Sequence, residues 1–96
     1  MSDFSLEFNE KALKEWKKLD AAVRLQFARK LKERMQAPCV EADRLRSLPD
    51  CYKIKLRSAG YRLVYQVVDQ RLVITVIAVG KRERSVVYRA AEKRLS

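Results

Sequence analysis

Lys53, Lys55, Arg57, Arg62, Lys81, Arg82 and Arg84 lie close together in the chain, with Tyr88 just behind them, and the sequence contains no histidine. That absence removes the usual acid–base side chain near neutral pH, and with it Ser-His-Asp and Cys-His catalysis. Any chemistry must come from lysine, arginine, tyrosine or a carboxylate. One reaction such a set can serve is cleavage of an RNA phosphodiester. It needs a base for the ribose 2′-hydroxyl, positive charge around the pentacoordinate phosphorane, and help for the departing 5′-oxygen. A lysine ringed by cations has its pKa pushed down and becomes a usable base, and Lys55 sits in such a ring. Arginine stays charged and offers a planar fork to two phosphate oxygens, which suits Arg62. Arg82 can stabilise or protonate the leaving oxygen, and Tyr88 can stack on a base. By itself the pattern fits a solvated face or a non-catalytic nucleic-acid surface better than an enzyme.

The charge is unevenly spread. Residues 44–96 carry 13 Lys/Arg against 4 Asp/Glu, whereas residues 1–43 carry 9 against 8. The second half is therefore where a polyanion docks, because phosphate attraction grows with the number of cations gathered on one surface. With 96 residues, 48% of them hydrophobic and only two Gly and two Pro, residues 1–96 make one small domain with one core. Its longest apolar run, residues 72–79, is far too short to span a membrane. The opening Met1-Ser2-Asp3-Phe4 lacks the basic and apolar parts of a secretory leader, so a cytoplasmic location is expected. Cys39 and Cys51 form no C-x-x-C pair and have no histidine partners. They are expected to be half-buried thiols of a reducing compartment rather than metal ligands.

The elements that must position the basic set can be read from periodicity. Residues 4–8 alternate as a half-buried strand does. Asn9 then caps a helix whose Ala12, Leu13, Trp16 and Leu19 share a face, and Asp20 caps a second, with Val23, Phe27, Leu31 and Met35 recurring every four residues up to Pro38. The Lys and Arg residues outside these faces are interspersed with acids and read as solvated. A polar connector over residues 36–50 leads into Tyr52-Lys53-Ile54-Lys55-Leu56-Arg57, where cations and apolar residues take opposite sheet faces. Ser58-Ala59-Gly60 turns the chain into a return strand over residues 61–68. A two-residue loop would set Lys55 opposite Arg62, a like-charge pairing that destabilises a sheet unless function requires it. On the apolar parity of these strands, Tyr52, Tyr61 and Tyr65 belong to the core or its boundary. Asp69-Gln70-Arg71 turns into an apolar strand over residues 72–79, which Gly80 should break, and a short charged helix runs from about Ser85 to Leu95. The order is β-α-α-β-β-β-α, an α+β domain with an antiparallel sheet and a two-helix hairpin on one face.

Three separated segments, Cys51-Tyr52-Lys53-Ile54-Lys55-Leu56-Arg57-Ser58, Gly60-Tyr61-Arg62-Leu63-Val64-Tyr65 and Val79-Gly80-Lys81-Arg82-Glu83-Arg84-Ser85 with Tyr88, closely resemble the RelE family of bacterial toxins. Ala12-Leu13-Lys14-Glu15-Trp16 and Leu45-Arg46 fit the same pattern. The resemblance covers essentially the whole chain. It implies a microbial-ribonuclease-like fold that enters the ribosomal A site and cuts the messenger by 2′-hydroxyl attack, with no metal and no cofactor. By that resemblance the catalytic set falls on Lys53, Lys55, Arg62, Arg82 and Tyr88, while Arg46, Arg57, Lys81 and Arg84 contact messenger or 16S ribosomal RNA. It also implies a RelB-like antitoxin that displaces the last helix, and operator DNA contacted only through the antitoxin complex. The alternative is a non-enzymatic ParE-like toxin, or a basic nucleic-acid-binding module of the same fold, either of which has no need of the full basic set.

Overall fold

Alternating residues build β1 (Ser5–Phe8), and Asn9 turns the chain at once into α1 (Glu10–Lys17). The computed structural model that shows this describes residues 4–83 and 86–95; Arg84 and Ser85 lie outside the described residues. The Asn9 side chain accepts from the Lys11 and Ala12 amides at 2.9 and 3.3 Å, a cap worth about 1 kcal/mol. Asp20 does the same for α2 (Ala21–Gln36) through the Ala22 amide. Ala12, Leu19, Val23, Phe27 and Leu31 point inward, with Trp16 and Met35 packed against them. Leu13, expected on the same face, is instead 37% exposed, since it lies about 100° round the helix from Ala12.

The connector is more ordered than its polar composition suggests. It contains a 3₁₀ turn at Glu41–Asp43, pairs Arg44 with Tyr52 as an isolated bridge, and buries Leu48. β2 (Cys51–Leu56) and β3 (Tyr61–Val68) then form a hairpin in the expected register, with Lys55 opposite Arg62. The ladder ends at Leu56–Tyr61, so the loop spans residues 57–60. A 2.8 Å bond from the Gly60 amide to the Leu56 carbonyl closes it, with Gly60 at φ +72°, a conformation that glycine adopts without steric cost.

β4 (Val73–Lys81) runs past Gly80, which was expected to break it; pairing with β3 continues through Arg62–Gly80 to Tyr61–Lys81. The sheet order is β1-β4-β3-β2, antiparallel across β2, β3 and β4, with β1 parallel to β4 at one edge. α1 and α2 cover one face over Tyr52, Ile54, Leu56, Leu63, Tyr65, Val67, Ile74, Val76 and Val79. α3 (Val86–Leu95) covers part of the other, over Cys51, Val64, Ile77 and Ala78.

A bulge in β4 decides what the second face presents. Tyr65 pairs with Val76 and Val64 with Ala78, so Ile77 is the unpaired extra residue. An extra residue reverses the in–out alternation beyond it. Ile74 and Val76 face the helical hairpin, Ile77 and Ala78 both face α3, and Val79 faces the hairpin again. Without the extra residue, Gly80 and Arg82 would share the parity of Val76, on the wrong side of the sheet.

α3 is held by more than its apolar residues. Val87 and Ala91 are buried, whereas Val86 is 55% exposed. Arg94, which composition suggests would only interrupt the apolar face, turns inward and forks onto both carboxylate oxygens of Glu15 at 2.8 Å each. Burial pushes the Glu15 pKa up, but the bonds from Arg94 and from the Val79 amide outweigh it and hold the carboxyl below its ordinary value. This contribution is complete above the ordinary glutamate pKa, about 4.3, and is lost as pH falls through the lower folded-state value. Glu15→Gln should therefore cost about 1 kcal/mol at neutral pH, and urea titrations at decreasing pH should show the difference from the parent closing below roughly pH 4. A gap that stays constant down to pH 2 would contradict the ionised pairing.

Candidate active site

The strand alternation that buries Tyr52, Ile54 and Leu56 leaves Lys53 and Lys55 on the opposite face, both partly exposed. β3 supplies Arg62 to the same face, and the register places Lys55, Arg62 and Gly80 in one row across three strands. Gly80 has no side chain to stand beside Arg62, and a methyl group there would meet Val87 at 3.5 Å. The place beside Arg62 is taken by Tyr88 of α3 instead. Arg62 Nη1 donates to the Tyr88 hydroxyl at 3.0 Å, and the guanidinium carbon lies 5.5 Å from the ring centroid.

Arg82 closes the arrangement from beyond β4. Its amide donates to the Gly60 carbonyl at 2.7 Å, tying the residue to the β2–β3 loop. Two adjoining hollows of about 220 and 230 Å³ share Arg62 and Arg82. The first is also lined by Lys81, Glu83, Val86, Val87 and Tyr88, and the second by Lys55, Leu56, Arg57 and Tyr61. Arg62, Arg82, Tyr88, Lys55, Arg57 and Lys81 are thus gathered as the sequence predicts. Lys53 stands beside this group on β2 and Arg46 is exposed on the connector; neither lines a hollow. Arg84 falls outside the described residues.

The electrostatics single out Lys55. Its pKa lies below the ordinary lysine value, chiefly through repulsion from Lys53, then partial burial, then Arg62 and Arg57, while Asp43 pulls weakly the other way. Asp43 is engaged elsewhere: it accepts from Arg34 Nη2 at 2.7 Å.

Arg34 is a support that periodicity did not reveal. From the hairpin side it donates to the Tyr65 hydroxyl at 2.8 Å and to the Lys53 carbonyl at 3.4 Å, while Tyr65 donates to the Pro38 carbonyl at 2.6 Å. Burial lowers the Arg34 pKa, but these partners outweigh it and keep it raised. β2 is thereby anchored from below at the strand residue that carries Lys53.

The two cysteines differ from the half-buried pair expected. Cys51 is fully buried, and burial, with Asp50 adding to it, pushes its thiol up to about 11. Cys39 is exposed, and its hydrogen bond with Tyr52 is the main cause that pushes that phenol up to about 12. Among the described residues no helix is long and apolar enough to cross a membrane.

Residues 6–86 match the family described as the ParE toxin of the type II toxin–antitoxin system parDE. The chain belongs to this family of toxins. Within it, the chain is of the RelE type: it is 60% identical over 92 residues to the mRNA interferase toxin RelE of Escherichia coli, covering 96% of this chain and 97% of that one. An E. coli RelE mutant in the free state superposes with a TM-score of 0.91 at 56% identity, over 99% of this chain and 100% of that one. RelE from the intact E. coli RelBE toxin–antitoxin complex superposes with a TM-score of 0.81 at 59% identity, over 86% and 100% respectively.

If the cation row sets the Lys55 pKa, Lys53→Gln should raise it by removing the largest repulsion, and Arg62→Gln should raise it less. Side-chain NMR titration of Lys55 Nζ measures this directly; an unchanged pKa in Lys53→Gln would refute the ordering of causes.

Proposed function

We propose that this protein is an mRNA interferase: an endoribonuclease that enters the ribosomal A site and cuts the messenger by 2′-hydroxyl attack, without a metal ion. The observation that carries this reading is the convergence of Lys55, Arg62, Arg82 and Tyr88 around two adjoining hollows, with the Lys55 pKa lowered. A ParE-like toxin that acts only by binding has no use for a lysine biased towards its neutral form beside a phosphate-sized cluster of guanidinium groups. The 60% identical relative is named an mRNA interferase, which agrees with the reading.

Neutral Lys55 takes the proton of the ribose 2′-hydroxyl. The 2′-oxygen attacks phosphorus, and the bond from phosphorus to the 5′-oxygen breaks, leaving a 2′,3′-cyclic phosphate. Arg62 presents its fork to the non-bridging oxygens as their charge grows, and Lys53 adds positive charge beside it. Arg82 stabilises the departing 5′-oxygen, which takes a proton from solvent water and leaves as a hydroxyl, while protonated Lys55 returns its proton to solvent. Tyr88, bonded to Arg62 in the free protein, stacks on a base of the codon and holds the scissile linkage in line. Lys81 and Arg57, at the rims of the hollows, contact flanking phosphates, with Arg46 and Arg84 extending the contact to 16S ribosomal RNA.

Tyr88 can hold one base, but a single stacking contact does not order the many torsions of a flexible RNA, so most of the orientation comes from the ribosome. Alignment of reacting groups contributes up to roughly 7 to 11 kcal/mol, and a fixed codon supplies part of it. Inhibition falls to a RelB-like antitoxin, whose acidic segment complements the basic face and displaces α3, taking Tyr88 out of place. Operator DNA is reached through that complex, and the site of action is the cytoplasm.

Primer-extension mapping on programmed ribosomes tests the reading. Cleavage should fall within the A-site codon, and naked RNA should remain uncut at the same protein concentration. Arg62→Ala and Arg82→Ala should each lower single-turnover cleavage by roughly 10²-fold with little change in ribosome affinity, since many other cations remain. Loss of affinity in proportion to rate would make them docking residues.

A further inference from the structure

β1 ends at Phe8, opposite Val76, where the Asn9 amide donates to the Val76 carbonyl at 2.8 Å. Beyond that point no strand among the described residues flanks the outer edge of β4, although β4 continues to Lys81. Exposed edge carbonyls and amides need partners, and two side chains provide them. The carbonyl of Ile77, the bulge residue, accepts from Arg94 Nη1 at 2.8 Å, and the Val79 amide donates to Glu15 Oε1 at 3.2 Å. Arg94 and Glu15 also bind each other through the two-bond fork described above. One ion pair therefore joins α1, the bulged edge of β4 and the last turn of α3.

The consequence for the reaction face follows from helix geometry. Arg94 and Val87 are seven residues apart and lie on one side of α3, so clamping Arg94 sets the rotation and height of the whole helix. Tyr88 is next to Val87, and its hydroxyl receives the Arg62 bond. The buried apolar residues of α3, Val87 and Ala91, are small and unspecific in how they seat, whereas a fork with two further hydrogen bonds to the β4 backbone is geometrically specific. The Arg94 side chain is 14% exposed and that of Glu15 35%, so the clamp is partly buried.

We infer that Glu15 and Arg94 are positioning residues for the cleavage reaction: their clamp on the bulged edge of β4 fixes α3 so that Tyr88 meets Arg62. The inference rests on the role proposed above for Tyr88. Neither clamp residue touches the reacting atoms.

The test is a double-mutant cycle in single-turnover cleavage on programmed ribosomes, read together with NMR. Arg94→Ala should lower the rate about tenfold or more, as misplacement of a group by an ångström does, in protein that keeps Tyr88. In a Tyr88→Ala background the same change should lower it less than about twofold, because nothing remains to misplace. Arg94→Lys keeps the charge but cannot fork, and serves as the second variant should Arg94→Ala fold poorly; it should show the same non-additivity. Contacts between the Tyr88 ring and Arg62 should weaken in both variants while amide protection in β3 and β4 persists. Equal rate losses in both backgrounds, or an unchanged Tyr88–Arg62 contact, would overturn the inference. Should Tyr88→Ala alone leave cleavage at the parent rate, the role of Tyr88 fails, and the NMR contact then decides the clamp by itself.

Discussion

Lys55 and Arg62 stand directly opposite one another across an antiparallel ladder, with Lys53 two residues along the same strand face. Like charges in that geometry repel, and the sheet bears the cost. Glu83 lines the hollow on the Tyr88 side, whereas the acid that acts on Lys55, Asp43, is bound to Arg34. The repulsion is what keeps the Lys55 pKa low. An acid placed there would relieve the repulsion and raise the Lys55 pKa. The remainder of the molecule is arranged to hold this unfavourable row in place.

The support comes from the opposite face and from the two ends. Tyr52, Ile54 and Leu56 are buried against α1 and α2, and burying side chains of that size contributes about 1.5 to 3 kcal/mol each, enough to outweigh a repulsion screened by water. Tyr52 stacks on Tyr65 with centroids 5.7 Å apart, and Arg34 ties Tyr65 to the backbone of Lys53. At one end the Gly60–Arg82 bond joins the β2–β3 loop to the residue just beyond β4. At the other, α3 covers Cys51 and Val64 and delivers Tyr88. The second face is thus divided: apolar and covered under α3, basic and open beyond it, with Tyr88 on the boundary.

Much of this is legible in the sequence because it depends on local periodicity. Alternation along residues 52–57 and 61–68 fixes which side chains share the Lys55 face, and the cap residues Asn9 and Asp20 locate both helices. The site set itself was carried by a family resemblance, since a row of cations reads equally as a solvated surface. What the pattern misses is set by tertiary pairing. Ile77 is one apolar residue in an apolar run, and nothing local marks it as the bulge that returns Arg82 to the reaction face. Gly80 looks like a strand breaker until pairing with Arg62 holds it in the ladder. The parallel placement of β1, the inward turn of Arg94 and the reach of Arg34 to Tyr65 all join residues distant in the chain; a charged side chain gives no local sign that its partner waits across the fold.

The claim on which the account turns is that repulsion within the cation row makes Lys55 the base. The most direct measurement is the pH profile of single-turnover cleavage on programmed ribosomes, for the parent and for Lys53→Gln. The account predicts a rate that rises with pH with a log–log slope of about one. It should level off at the Lys55 pKa, below the ordinary lysine value, with the plateau displaced to higher pH in Lys53→Gln. A profile that is flat, or whose inflection stays put when Lys53 is removed, would contradict it.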